Sequence, residues 1–150
     1  MYTTEKSVDI LNDLIELNND RVAGFEKVIA DIKPENIDLK TLFQEYATQS
    51  REFSQELTAL VARYSDDIET GTSASGTLHR AWIDVKSLFG GSDRASILAE
   101  AERGEDAIKK AYKEVLSEDE LAPEVLQVVA EQAQTLQAAH DHIKALRDAS

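Results

Sequence analysis

Residues 97–116 read ILAEAERGEDAIKKAYKEVL, and the fold follows from how that stretch is read. Apolar or small residues recur at Ile97, Ala101, Gly104, Ile108, Ala111 and Val115, the three-and-four spacing of a helix with one face against partners. Such a stripe has to be buried. Beside it stand Glu102, Glu105 and Asp106, like charges on one side of the helix, which cost an isolated helix roughly a few tenths of a kcal/mol per pair. Water or a cation would offset that cost.

Working outward, the same periodicity predicts three more long helices. The first runs from Val8 through Leu11, Leu14, Ile15, Val22, Phe25 and Ile29 to Ile32, where Lys33 and Pro34 stop it. The second starts at Asp38 as N-cap, buries Leu39, Phe43, Tyr46, Phe53, Leu57, Leu60 and Tyr64, and ends near Ile68. The helix of residues 97–116 is the third, capped by Ser92 or Asp93. Ser117 to Glu120 offers a capping box for the fourth, with Pro123 in its first turn and Val125, Val129, Leu136, Ala139, Ile143 and Leu146 as its stripe. Three stripes have a polar gap, at Asn18, Ser50 and Gln132. Between the second and third helices, after the loop GTSASG at 71–76, Leu78, Trp82, Val85 and Phe89 predict a short amphipathic helix ended by Gly90 and Gly91. At 1.5 Å per residue it reaches on the order of 20 Å, enough to run along a bundle as a crossover. No long alternating pattern of a strand occurs.

Composition narrows the function. A chain of 150 residues fits a single domain, residues 1–150, with one core. The absence of cysteine removes disulfides, thiolate metal sites and a Cys nucleophile, and agrees with a reducing compartment. A net charge of −13 repels nucleic acid and anionic lipid and attracts cations. The opening MYTTEKSVDIL lacks the apolar run of a signal peptide, and no stretch approaches the roughly 20 apolar residues of a membrane span. The expectation is a cytoplasmic protein that binds neither nucleic acid nor membrane.

Four passages, LNDLIELNNDRVAGFEKV (11–28), LHRAWIDVKSLFGG (78–91), AERGEDAIKKAY (101–112) and AAHDHIKALRD (138–148), carry a resemblance to a family of small bacterial ferritin-like four-helix-bundle proteins of unknown function. The resemblance implies an all-α, ferritin-like four-helix bundle with the short helix as crossover between the second and third long helices. In the larger ferritin-like group a di-iron site is held by carboxylates and Glu-x-x-His pairs. SREFSQEL (50–57) resembles the stretch that carries one such pair, but the two positions read Ser50 and Phe53. The matching position on the first helix is Asn18, and on the fourth the residue three after Glu131 is Gln134. The third helix keeps Glu102 and Glu105. The di-iron set is incomplete.

Two readings of function remain at this level. The first is a non-enzymatic bundle, stress-associated or protein-interacting, in which Asn18, Ser50, Glu102 or Glu105, and Gln132 form a hydrogen-bonded polar layer that fixes helix register. It needs no cofactor and has no catalytic residue. The second is a carboxylate-rich iron- or manganese-binding protein or an iron oxidoreductase, with Glu26, Glu102, Glu105, Glu131 and His140 as ligands. His140 lies between Leu136 and Ile143 at helical spacing, whereas His142 projects elsewhere. Trp82 reads as the anchor of the crossover, and the wide apolar face of that segment suggests a homodimer. No Ser or His sits in a nucleophile elbow or beside a phosphate-binding glycine loop.

Overall fold

The computed structural model describes residues 4–64, 94–118 and 121–149. Among these residues the protein is all-α, with four long helices and no strands: α1 (Thr4–Asp31), α2 (Ile37–Tyr64), α3 (Arg94–Leu116) and α4 (Pro123–Asp148). None of the described helices is long and apolar enough to cross a membrane. The predicted crossover helix from Leu78 to Phe89, with His79 and Trp82, lies outside the described residues, as do the loop at 71–76 and the end of the second helix near Ile68.

Pro34 stops α1, as its missing N–H and the bias on the preceding residue require. It opens a single 3-10 turn, Pro34–Asn36, from which α2 continues directly at Ile37. Asp38 is therefore not an N-cap. It lies in the first turn of α2, where Arg94 at the start of α3 donates to both of its oxygens at 2.9 and 2.6 Å and to Asn36 Oδ1 at 3.2 Å. Ser117 does not open α4 either. Its hydroxyl donates to the Glu114 carbonyl at 2.6 Å and closes α3, while α4 starts at Pro123 after Ala122, which makes no side-chain cap.

Side-chain bonds fix the directions of the helices. Arg21 reaches Ser50 and Ser54 reaches Asn19, so α1 and α2 are antiparallel. Arg21 meets Glu105 while Asn18 meets Tyr112, so α1 and α3 are antiparallel as well. Tyr46 meets His142 and Arg63 meets Glu124, which sets α2 against α4. It follows that α2 and α3 are parallel, with the Asp38–Arg94 pair joining their first turns. Tyr64 and Arg94, the two ends that residues 65–93 connect, stand at opposite ends of a helix about 42 Å long, from 28 residues at 1.5 Å each. The order is up, down, down, up.

Inside, Leu11, Phe25, Phe43, Leu57, Leu98, Ile108, Val125, Leu136 and Ile143 are fully buried. Phe25 packs on Phe43 and Tyr46 with ring centroids 5.1 and 5.8 Å apart. The inner stripe of α1 passes through Leu11, Leu14, Asn18, Arg21, Phe25 and Val28; Val22 and Ile29, which the apolar count favours, are only half-buried. On α3 the inner stripe is likewise Leu98, Ala101, Glu105, Ile108 and Tyr112, not one through Ala111 and Val115.

The Asp38–Arg94 hydrogen bonds hold the Asp38 carboxyl below the usual range. A depressed folded-state pKa gives stability that is present above the ordinary aspartate range and lost as pH falls through the folded value. Asp38→Asn is therefore expected to lower stability at pH 7 by at most about 1 kcal/mol, the exposed pair being screened. The wild type and the variant should converge in urea titrations as pH falls below the ordinary aspartate range.

A buried guanidinium at the centre of the bundle

The candidate functional site is built from all four helices. Asn18 on α1, Ser50 on α2, Tyr112 on α3 and Gln132 on α4 occupy inner positions, and each is buried. The Ser50 hydroxyl donates to Asn18 Oδ1 at 2.9 Å, and Asn18 Nδ2 donates to Tyr112 Oη at 2.8 Å and to the Leu14 carbonyl at 2.9 Å. Tyr112 Oη donates in turn to Gln132 Oε1 at 2.6 Å, and Gln132 Nε2 to the Phe53 carbonyl at 3.4 Å. The chain of bonds thus returns to α2. Burial raises the Tyr112 phenol above its ordinary range, against the opposing hydrogen bond from Asn18, so it remains a donor.

One turn along α1 from Asn18 is Arg21, the largest fully buried side chain of the described residues. Its Nε donates to Glu105 Oε1 at 2.8 Å, and Nη1 donates to Ser50 Oγ at 3.0 Å and to the Tyr46 carbonyl at 3.3 Å. Gln49 Oε1 stands 3.5 Å from both terminal nitrogens. The guanidinium carbon is 5.4 Å from the ring centroids of Phe25 and Tyr46, within cation–π range. Arg21 and Glu105 both have fully covered side chains. Burial pushes the Glu105 carboxyl above the usual carboxylate range, against the pull of Arg21; the cost of desolvation outweighs the attraction. Burial also moves the Tyr46 phenol up to about 12, with the Glu105 charge adding to the effect.

A second group lies between α3 and α4. Glu102, Asp106 and His140 bring one ligand-type atom each to within 4.8 Å of one another. His140 Nε2 is 2.6 Å from Asp106 Oδ1 and 3.7 Å from Glu102 Oε1, and its Nδ1 is 3.1 Å from Asp141 Oδ1. Arg147 pairs with the other oxygen of Glu102. Of the residues the sequence offers as ligands, Glu102 and His140 are therefore together, and Glu105 is on the neighbouring turn of α3, bound to Arg21. Glu26 and Glu131 stand apart on exposed faces, Glu26 paired with Arg51 of α2. His142 is exposed, with Nδ1 3.2 Å from Tyr46 Oη. Sequence reading passes over Arg21 and Tyr112. The signal for both is register: Leu14, Asn18, Arg21 and Phe25 are spaced four, three and four, and Tyr112 follows Ile108 by four.

The donor set at the centre does not fit a pair of metal ions. Of the residues in this network only Glu105 is a carboxylate, and one of its oxygens already holds a guanidinium; hydroxyl, amide and phenyl groups fill the other facing positions. The chain belongs to the family described as a domain of unknown function (DUF2383), whose model matches residues 6–118. No curated protein matches it.

Removing one partner of a buried ion pair strands the other charge, at a cost of about 3–5 kcal/mol, whereas apolar replacement of both is often neutral or stabilising. Arg21→Met is accordingly expected to destabilise by about that much in urea unfolding, and Arg21→Met with Glu105→Leu to recover most of the loss. Because the Glu105 pKa is raised on folding, its contribution is complete below the unfolded-state value and declines as pH rises through the folded one. Glu105→Gln should remove that decline, seen as a flatter pH–stability profile above the ordinary glutamate range.

Proposed function

We propose that this chain is a ferritin-like bundle in which an arginine side chain has taken the place of the metal centre, and that it acts without enzymatic chemistry as an interaction protein. The observation that carries this reading is the position of Arg21: a fixed positive charge, hydrogen-bonded to Glu105 and Ser50 in the middle of the bundle. A guanidinium neutralises the interior carboxylate as a metal would, but it offers no open coordination position and no redox chemistry. The parallel α2 and α3, with Tyr64 and Arg94 at opposite ends, support the ferritin-like topology, which needs one long crossover.

With the centre closed in this way, binding belongs to the outside of the bundle. The net charge of −13 favours a partner with a cationic surface over nucleic acid or anionic lipid. A stress-associated role is consistent with such a module, since it demands no substrate.

Aerobic oxidation of ferrous iron tests this reading. The purified chain is expected to leave the rate of ferric absorbance growth at its protein-free value, and Arg21→Met is expected to do the same because Ser50 and Phe53 supply no ligands. Accelerated oxidation by the wild type that is lost in Glu105→Gln overturns the proposal.

A further inference from the structure

We infer that Glu102, Asp106 and His140 form a mononuclear site for a divalent transition cation such as Zn2+, at the α3–α4 seam and outside the Arg21 network. Glu102 and Asp106 are four residues apart and so share one face of α3; His140 approaches from α4. Their ligand atoms lie within 4.8 Å of one another. Bonds of about 2.0–2.2 Å at tetrahedral angles place ligand atoms roughly 3.4 Å apart. The Glu102–His140 distance of 3.7 Å is already near that value, and the 2.6 Å from His140 to Asp106 needs only a small rotation of the exposed Asp106 side chain.

The surroundings are those of a metal ligand set. Asp141 Oδ1 faces His140 Nδ1 at 3.1 Å, the carboxylate–imidazole arrangement that holds a ring so that Nε2 presents its lone pair to a metal. Glu102 divides its work: Oε1 faces His140, and Oε2 is held by Arg147. Metal ligation by Oε1 therefore leaves the Arg147 pair in place. An independent observation comes from Glu105, which is wholly buried and whose Oε2 has no hydrogen-bond partner among the described residues. It is three residues from Glu102 and adjacent to Asp106, and the charges of His140 and Asp106 act on it. A cation among the three ligands adds a second positive charge near this carboxylate, beside that of Arg21 on its other oxygen. One imidazole with two carboxylates selects a first-row transition ion over Mg2+, which prefers six oxygens. Three protein ligands leave a further position for water.

The test uses the full chain, freed of metal with a chelator, and Zn2+ alone as probe. Calorimetry is expected to show one saturable Zn2+ per chain, with a melting temperature that climbs with Zn2+ concentration. Binding should weaken as pH falls, because an imidazole and two carboxylates ligate only when deprotonated. His140→Gln and Asp106→Asn should each weaken Zn2+ binding at least about tenfold, and Asp141→Asn by about tenfold through loss of ring orientation. Glu26→Gln and Glu131→Gln should leave it unchanged. Should His140→Gln fail to fold, Asp106→Asn, an exposed change, still decides. The inference is overturned by the absence of a saturable 1:1 event up to millimolar Zn2+, by unchanged affinity in Asp106→Asn, or by Mg2+ binding as tightly as Zn2+. Since Arg21 and Ser50 play no part in this site, its failure leaves the reading of the bundle centre intact.

Discussion

The ion pair between Arg21 and Glu105 sets the terms for the rest of the bundle. Two charges without contact to solvent must satisfy each other and find hydrogen bonds for what remains, or the folded state loses several kcal/mol. That demand selects the neighbours. Ser50 accepts from the guanidinium and passes its own proton to Asn18; Asn18 donates to Tyr112, and Tyr112 to Gln132. Each link lies on a different helix from the one before it. A slip of one helix by a turn would break several of these bonds at once, whereas an apolar stripe tolerates such a slip at smaller cost. The network therefore specifies register, which burial of Leu and Phe alone leaves loosely defined.

This also explains which parts of the structure are legible in the sequence. Helix class, the stop at Pro34 and the place of Pro123 in the first turn of the fourth helix follow from periodicity and from proline chemistry, and the structure agrees at each. Asn18, Ser50 and Gln132 are visible as polar gaps in apolar stripes, and all three are buried. Arg21 is not visible, because alone it is a charged residue and a charge is assigned to the surface; Glu105 is visible as a candidate for the polar layer or a ligand set, but not as the partner of an arginine. Only together do they make sense in a core. Passing over Arg21 rotates the apparent stripe of α1 by one residue, to Val22 and Ile29, and setting Glu105 beside the stripe of α3 moves that stripe to Ala111 and Val115 in place of Tyr112. A pair whose members are 84 residues apart in the chain leaves no local signature.

Helix caps fail for a related reason. Ser117 and Asp38 have the side chains of N-caps, but both find stronger partners: Ser117 the carbonyl of Glu114, Asp38 the guanidinium of Arg94. A forked, two-bond contact with arginine exceeds what one backbone N–H offers a capping carboxylate. At Asp38 the result fastens the first turns of α2 and α3 together and so fixes the parallel course of these two helices.

The crowding of Glu102, Glu105 and Asp106 on α3 now has a structural meaning. Like charges along one helix are unfavourable in isolation, but each of the three is answered from a different helix. Arg21 of α1 answers Glu105, Arg147 and His140 of α4 answer Glu102, and His140 answers Asp106. Repulsion within α3 is thus converted into attraction to both of its neighbours. The local cost is met when the helices are assembled in this order. Among these contacts a gradient of burial separates two kinds of chemistry. Glu105 and Arg21 are sealed and can serve only structure. Asp106 is exposed, His140 is nearly covered, and the space between them is the place where acidity, an imidazole and access to solvent coincide.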